Sequence, residues 1–146
     1  MIYLLDLNYT LVSNSAGKYP FTKEIIEAER YRQWLVDTLR NETVVLITVR
    51  DRKFEKFTLE QIEKYTGWQP TDTYFAPHFE YGGAPTTKLK GLKTYIFPKY
   101  GDDPKSYMAI ESNPKTQVMY NRIGIKALNQ SQFRRTINDN KEIKLL

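Results

Sequence analysis

Residues 1–11, MIYLLDLNYTL, decide the fold that the sequence predicts. Ile2 to Leu5 form a short apolar run, and Asp6 follows it directly. Such a run is typical of a buried strand in a parallel sheet. In open α/β sheets ligands bind beyond the carboxyl ends of the strands. The sequence therefore predicts that Asp6 lies at the edge of the sheet where chemistry takes place.

Downstream of this strand, helical patterns alternate with further apolar runs. An amphipathic helix is predicted from Thr22 to about Arg40, because apolar residues recur there at roughly helical spacing. The later predicted elements are strands at 43–48, 73–75, 107–110 and 124–127, and helices at 58–67, 86–97 and 114–122. The tail from Asn129 is expected to form a short helix and an edge strand.

This alternation implies right-handed crossovers and a sheet covered by helices on both faces. We therefore predict an α/β fold: a Rossmann-like three-layer sandwich with a mostly parallel five-stranded sheet. The whole chain, residues 1–146, is expected to form a single domain. Thr58 and Gln61 have the spacing of a capping box at a helix start, and Gly67 is a typical helix stop.

Composition excludes several kinds of protein. The chain has no Cys, so it has no disulfide, thiol nucleophile or Cys-based metal site, and its only histidine, His78, rules out a His-rich metal site. No uncharged apolar run approaches the length of a membrane span, and no secretory signal is apparent, so a cytoplasmic location is expected. A net charge of +5 favours an anionic partner. The oligomeric state cannot be read from the sequence.

The residues that follow the first, second and fourth predicted strands are Asp6, Thr48 and Glu111. Lys88 lies near the start of the helix that leads into the fourth strand. Two acids, a hydroxyl and a lysine at one sheet edge suit phosphoryl transfer, in which the protein mainly positions groups and neutralises charge. A carboxylate can attack phosphorus, and two carboxylates can hold Mg²⁺.

Four stretches in sequence order resemble the motifs of the haloacid dehalogenase (HAD) superfamily. They are LLDLNYTLV (residues 4–12), LITVRD (46–51), Lys88, and IESNPKTQVMYNRIGI (110–125). The resemblance spans residues 1 to about 127. Within the superfamily, TQVMYNRIGI (116–125) and YIFPKYG (95–101) look most like the 3′-phosphatase domain of polynucleotide kinases.

The resemblance implies a role for each matching residue. Asp6 would be the nucleophile, and Mg²⁺ would be held by Asp6, the backbone carbonyl of Asn8 and Glu111. Thr48 would bind a phosphoryl oxygen, and Lys88 would neutralise charge beside Asp6, with Lys90 as the rival lysine. The further candidates are Thr10, Arg50 and Ser112 for substrate binding and Asn113 as a neutral helper at the metal. Arg50 could instead be a surface arginine at the start of a loop.

Two positions depart from the HAD pattern. Asn8 stands where the family has a second acid that serves as general acid and base, and an amide cannot deliver a proton. A slow enzyme, a binding protein on an old scaffold and an engineered substitution all explain Asn8. The usual acid pair of the fourth motif is replaced by Glu111 and Ser112, which leaves one carboxylate there for the metal.

The predicted function is a Mg²⁺-dependent phosphatase that acts through an aspartyl-phosphate on a phosphorylated nucleotide or nucleic-acid end. Little chain separates the first motif from the first long helix, so a cap is expected to be minimal or absent, as in family members that act on large or exposed substrates. The alternative is a catalytically impaired HAD-fold protein that binds nucleotides or nucleic acid. A third possibility is an interaction module that uses the basic surface.

Overall fold

The computed structural model describes residues 1–17, 20–77 and 82–145. Its strands form one all-parallel sheet in the order β3-β2-β1-β4-β5. They are β1 (Ile2–Leu5), β2 (Thr43–Asp51), β3 (Asp72–Ala76), β4 (Tyr107–Ile110) and β5 (Lys126–Leu128). The predicted α/β class and five-stranded sheet are confirmed, and the sheet is parallel throughout rather than mostly parallel.

The first strand lies at the centre of the sheet, which explains its strongly apolar sequence. Leu5 is opposite Leu46 of β2 on one side and opposite Ile110 of β4 on the other. The chain therefore leaves all three strands at the same edge. The backbone N–H of Asp6 extends this pairing by donating to the carbonyl of Ile110 at 3.0 Å.

Helices cover both faces of the sheet, as expected for a three-layer fold. They are α1 (Lys23–Glu27), α2 (Gln33–Leu39), α3 (Glu55–Thr66), α4 (Gly83–Gly91), α5 (Phe97–Tyr100), α6 (Pro114–Arg122) and α7 (Gln130–Leu145). One face packs Leu35 of α2, Ile62 of α3 and Phe133 of α7 into a buried core. The other packs Met119 and Tyr120 of α6 with Leu92 and Ile96, which lie in the turn between α4 and α5.

The predicted single helix from Thr22 to Arg40 is wrong, because the chain leaves the helix after Glu27. The side chain of Asn14 donates to the carbonyl of Ala28 at 2.8 Å and accepts from the N–H of Arg30 at 2.7 Å. Tyr31 then forms an antiparallel bridge with Val12. These bonds from a polar side chain to the backbone compete with helical ones and divide the segment into α1 and α2.

The helix predicted from Thr58 begins earlier, at Glu55, after a 3₁₀ turn at Arg52–Phe54. Thr58 is fully buried inside α3 and accepts a hydrogen bond from Arg50, so the capping-box interpretation is wrong. The predicted stop is confirmed: Gly67 follows α3 in the left-handed region, at φ 68°, and its N–H donates to the carbonyl of Glu63.

Several other boundaries differ from the prediction. β2 runs to Asp51, three residues beyond the predicted end. The helix predicted at 86–97 starts at Gly83 and continues through a π-helical turn (Leu92–Ile96) into α5. The tail forms α7 and no edge strand within its described residues, because Phe133 and Ile137 pack on the sheet at helical spacing. His78 lies outside the described residues.

Candidate functional site

A buried lysine joins two buried carboxylates at the carboxyl edge of the sheet. Lys88 Nζ lies 2.8 Å from Asp6 Oδ1 and 2.6 Å from Glu111 Oε1. The three residues are 2%, 7% and 1% exposed, respectively. Lys88 comes from α4, whereas the carboxylates follow the adjacent strands β1 and β4. The sheet order therefore creates this cluster, which we call the carboxylate–lysine cluster.

The other oxygen of Asp6 is held by two hydroxyl groups. Thr10 Oγ1 donates to Asp6 Oδ2 at 2.8 Å, and Ser112 Oγ donates to the same oxygen at 3.0 Å. The Ser112 hydroxyl also lies 3.3 Å from the backbone carbonyl oxygen of Asn8. The Asp6 carboxylate and the Asn8 carbonyl therefore both lie within reach of the Ser112 hydroxyl.

The electrostatics of the cluster follow from one cation facing two acids. Burial opposes ionisation of Asp6, but the charge and hydrogen bond of Lys88 outweigh it and hold the pKa of Asp6 below its usual value. Burial, together with the charge of Asp6, raises the pKa of Glu111 to about 7 despite its contact with Lys88. Although burial alone would lower the pKa of Lys88, the two carboxylates raise it.

A second buried ion pair lies beside Asn8. Arg50 is 5% exposed and binds both carboxylate oxygens of Glu29, at 3.1 Å and 2.6 Å. Arg50 Nη1 also donates to Thr58 Oγ1 at 3.0 Å, and Arg50 Nη2 donates to Asn8 Oδ1 at 3.0 Å. The interpretation of Arg50 as a surface arginine is therefore wrong. Its guanidinium fixes the orientation of the Asn8 amide.

The oxygen donors at this edge fit a hard divalent cation. Asp6, Glu111 and the Asn8 carbonyl supply oxygen ligands only, and Mg²⁺ is commonly bound by one or two carboxylates while it keeps several waters. With both acids ionised the cluster carries one excess negative charge, which a proton on Glu111 would neutralise and a bound divalent cation would more than offset. Among the described residues no group of three or more His, Cys, Asp or Glu side chains forms a metal cluster. A metal here therefore depends on the backbone carbonyl and water.

The remaining residues that the sequence predicted for the site make no side-chain hydrogen bond to Asp6 in the described part of the structure. Thr48 is 2% exposed, and its hydroxyl accepts a hydrogen bond from the N–H of Arg50 at 3.1 Å. The Asn113 side chain accepts from the N–H of Lys115 at the start of α6 and is not brought to Asp6, although its own N–H donates to Glu111 Oε2 at 3.1 Å. Lys90 is exposed on α4, so the structure brings Lys88 and not Lys90 to Asp6.

Three residues near the site carry no signal in the sequence. Glu29, the partner of Arg50, lies in a stretch whose charged residues match the solvent face of a helix. Gln117 donates from Nε2 to the Glu111 carbonyl at 2.7 Å, and Tyr120 buries its hydroxyl without a hydrogen-bond partner among the described residues. Gln117 and Tyr120 could have been placed on α6 by helical periodicity, but periodicity does not show which strand end they face.

No protein-family model and no curated protein matches this sequence. Among solved structures, a chain of the Pnkp1/Rnl/Hen1 RNA repair complex is similar, with a TM-score of 0.70 and 14% sequence identity. The match covers 88% of this chain and 41% of that chain, so this chain spans less than half the length of the similar one. At this identity the likeness shows the shared α/β fold. No helix in the described part of the chain is long and apolar enough to cross a bilayer.

Proposed function

We propose that this chain is a Mg²⁺-dependent phosphatase that forms an aspartyl-phosphate on Asp6. The observation that carries the proposal is the buried carboxylate–lysine cluster. An ionised carboxylate is fixed there by Lys88, Thr10 and Ser112 at the edge of the sheet. Its lowered pKa keeps Asp6 ionised at neutral pH, as a nucleophile requires.

The chemistry divides into two displacements at phosphorus. An oxygen of Asp6 forms a bond to phosphorus while the bond to the ester oxygen breaks, and the leaving oxygen takes a proton from a water molecule to depart as the alcohol. Water then attacks the phosphorus of the aspartyl-phosphate, which releases inorganic phosphate and restores the carboxylate. Lys88 offsets negative charge beside Asp6, and Thr48 can donate a hydrogen bond to a phosphoryl oxygen. When bound by Asp6, Glu111 and the Asn8 carbonyl, Mg²⁺ supplies further charge neutralisation.

A phosphorylated nucleotide or nucleic-acid end is the substrate class that we propose. The described residues between β1 and β2 form a π-helical turn (Leu7–Leu11), loop segments and the short helices α1 and α2, so these residues add no cap domain over the site. The net charge of +5 favours a polyanion. The similar chain belongs to an RNA repair complex, and the sequence resemblance is to a 3′-phosphatase. Together these observations support a substrate at the end of a nucleic-acid chain.

A second candidate function is binding without efficient turnover. The observation that favours it is the contact between Asn8 Oδ1 and Arg50. This contact fixes an amide where a proton donor would act. The buried Arg50 is already neutralised by Glu29, so the pair is balanced with a neutral residue at position 8. A protein adapted to bind a phosphorylated end would tolerate this arrangement.

Phosphate release from a panel of substrates, with Mg²⁺ and with a chelator, separates the two functions. The panel contains 3′-phosphorylated oligonucleotides, nucleoside monophosphates and an aryl phosphate. We expect Mg²⁺-dependent release, fastest with the aryl phosphate because its leaving group needs little protonation. Mg²⁺-dependent binding of the oligonucleotide without release from any substrate would favour the binding protein, and release that is equally fast in chelator would contradict the proposed metal.

A further inference from the structure

A cavity of about 190 Å³ lies beside the candidate site. It is lined by residues of the loop after β1, of the segment that precedes α1, of α1 itself and of the stretch after α1, among them Asn8, Tyr9, Ser15, Phe21 and Glu29. Asn8 belongs to both places, because its carbonyl oxygen lies 3.3 Å from Ser112 Oγ and the residue also lines the cavity. The cavity therefore shares Asn8 with the edge where Asp6 lies.

Tyr9 projects at this cavity from a strained backbone. Its φ of 63° makes it the only non-glycine residue with positive φ in the described part of the chain. A conformation of this kind costs on the order of 1–3 kcal/mol and occurs most often at functional sites. The N–H of Tyr9 donates to Ser15 Oγ at 2.9 Å, which holds the loop in place. The aromatic side chain remains 53% exposed.

A second aromatic ring lines the same cavity. Phe21 has the guanidinium carbon of Arg50 4.7 Å from its ring centroid and packs edge to face against Phe54 at 5.2 Å. These contacts on two sides fix the ring where it meets the cavity. Tyr9 of the loop after β1 and Phe21, which lies just before α1, thus both bring aromatic surface to the cavity.

Two hydrogen-bond donors accompany the aromatic rings. Asn8 Oδ1 accepts from Arg50, so the Nδ2 group is the part of the amide that can donate to a ligand. Ser15 Oγ accepts from Tyr9, which leaves its hydroxyl hydrogen available for donation. Aromatic surface with adjacent donors suits a flat ring that carries acceptor atoms.

We propose that this cavity binds the base of the nucleoside that leaves when phosphate is transferred to Asp6. The inference rests on the proposed phosphatase function and specifies its substrate. Ring nitrogen and carbonyl oxygen atoms of a base can accept from Asn8 and Ser15, whereas the ring of a phosphotyrosine offers no acceptor. The base stacks on Tyr9, while its phosphate lies at Asp6.

Equilibrium binding of two ligands by calorimetry tests this inference. Adenosine 3′-phosphate carries a base and glycerol 2-phosphate does not. We expect Tyr9→Ala to weaken binding of the nucleotide about tenfold and to leave binding of glycerol 2-phosphate unchanged. The ratio of the two dissociation constants should therefore narrow by a similar factor. Tyr9→Phe keeps the ring and should retain the ratio. Tyr65→Ala, which removes an equally exposed tyrosine from α3, is the matched control.

Folding of each variant is checked by circular dichroism, and each outcome has one meaning. Equal weakening of both ligands by Tyr9→Ala, no binding of the nucleotide, or preference for phosphotyrosine over the nucleotide overturns the base site. Binding that depends on the base and on Tyr9, but without hydrolysis of any substrate, supports the base site and contradicts the phosphatase. Hydrolysis with a base preference that Tyr9→Ala leaves intact supports the phosphatase and overturns the base site.

Discussion

At the residue scale, Asp6, Lys88 and Glu111 combine two acids with one base where little surface is exposed to water. Lys88 contacts both carboxylates but its single charge can neutralise only one of them. Because a buried charge is stable only when it is paired, the cluster favours uptake of a further positive charge. In the absence of metal, the raised pKa of Glu111 means that this carboxylate binds a proton more readily than an ordinary glutamate does. The same preference would favour a divalent cation.

This charge balance predicts the pH dependence of stability in metal-free buffer. The pKa of Glu111 is about 7 in the folded chain and near 4.5 when unperturbed. Between these values the folded state binds more protons, so the free energy of unfolding should fall as pH rises, by at most about 1.4 kcal/mol per unit. Urea denaturation from pH 5 to pH 7.5 measures the free energy of unfolding at each pH.

Glu111→Gln should flatten the dependence of this free energy on pH. Glu60→Gln, which changes an exposed glutamate on α3, should keep the dependence of the unmodified protein. The same pH dependence in the unmodified protein and in both variants would contradict the raised pKa of Glu111.

A second residue-scale prediction concerns Asn8. Asn8→Asp should increase the rate of phosphate release from alkyl phosphates by about 10²–10⁴ and change aryl phosphate rates little, because only a poor leaving group needs the added proton donor. Steady-state kinetics measure both rates. Asn121→Asp, on the exposed surface of α6, makes the same charge change elsewhere. Alkyl phosphates that stay inert in Asn8→Asp while the ligand still binds would favour the binding protein.

At the element scale, helix ends were predictable where a single residue determines them. Gly67 is such a residue, because an added Cβ meets nothing within 4 Å and only the positive φ opposes a side chain. Gly67→Ala should therefore lower the free energy of unfolding by about 1–2 kcal/mol. Gly67→Asn should cost less, since Asn tolerates the left-handed region. Urea denaturation of both variants checks this. A larger loss for Asn than for Ala would contradict a purely backbone effect.

Elements that depend on distant contacts were predicted less well. The stretch from Thr22 to Arg40 has helical periodicity, but the hydrogen bonds of Asn14 to Ala28 and Arg30 interrupt the helix. Periodicity records which residues are buried and not which backbone groups are already bonded elsewhere. The prediction of a helix cap at Thr58 was wrong for a similar reason. A threonine hydroxyl can cap a helix, but it can also accept a hydrogen bond from a buried arginine, as Thr58 does from Arg50.

At the scale of the whole molecule, the order of the strands decides which residues meet. The sequence predicted the strands and therefore which side chains follow them. It could place Asp6 and Glu111 at one edge, because parallel strands end together. Thr48, which was predicted to follow the second strand, lies inside β2. It could not predict the pairing of Arg50 with Glu29, which are 21 residues apart and share no motif. That pairing is visible only once α1 and α3 are packed beside β2.

The similarity to a chain of an RNA repair complex shows a shared fold, and one fold can carry different functions. In such folds the sheet positions the reacting groups, and the loops beyond its carboxyl edge select the ligand. Here the loop after β1 both supplies the Asn8 carbonyl to the candidate metal site and places Tyr9 at the adjacent cavity. Under the proposed function, chemistry and substrate choice would meet in one short segment.

The proposed mechanism requires Asp6 to carry the phosphoryl group during turnover. Acid quenching of the protein during hydrolysis of an aryl phosphate, followed by peptide mass spectrometry, measures this directly. We expect a phosphoryl group on Asp6 in the presence of Mg²⁺, and neither label nor phosphate release in a folded Asp6→Asn variant, because an amide does not attack phosphorus. Undiminished phosphate release by Asp6→Asn, or a phosphoryl group on another residue, would contradict the aspartyl-phosphate mechanism.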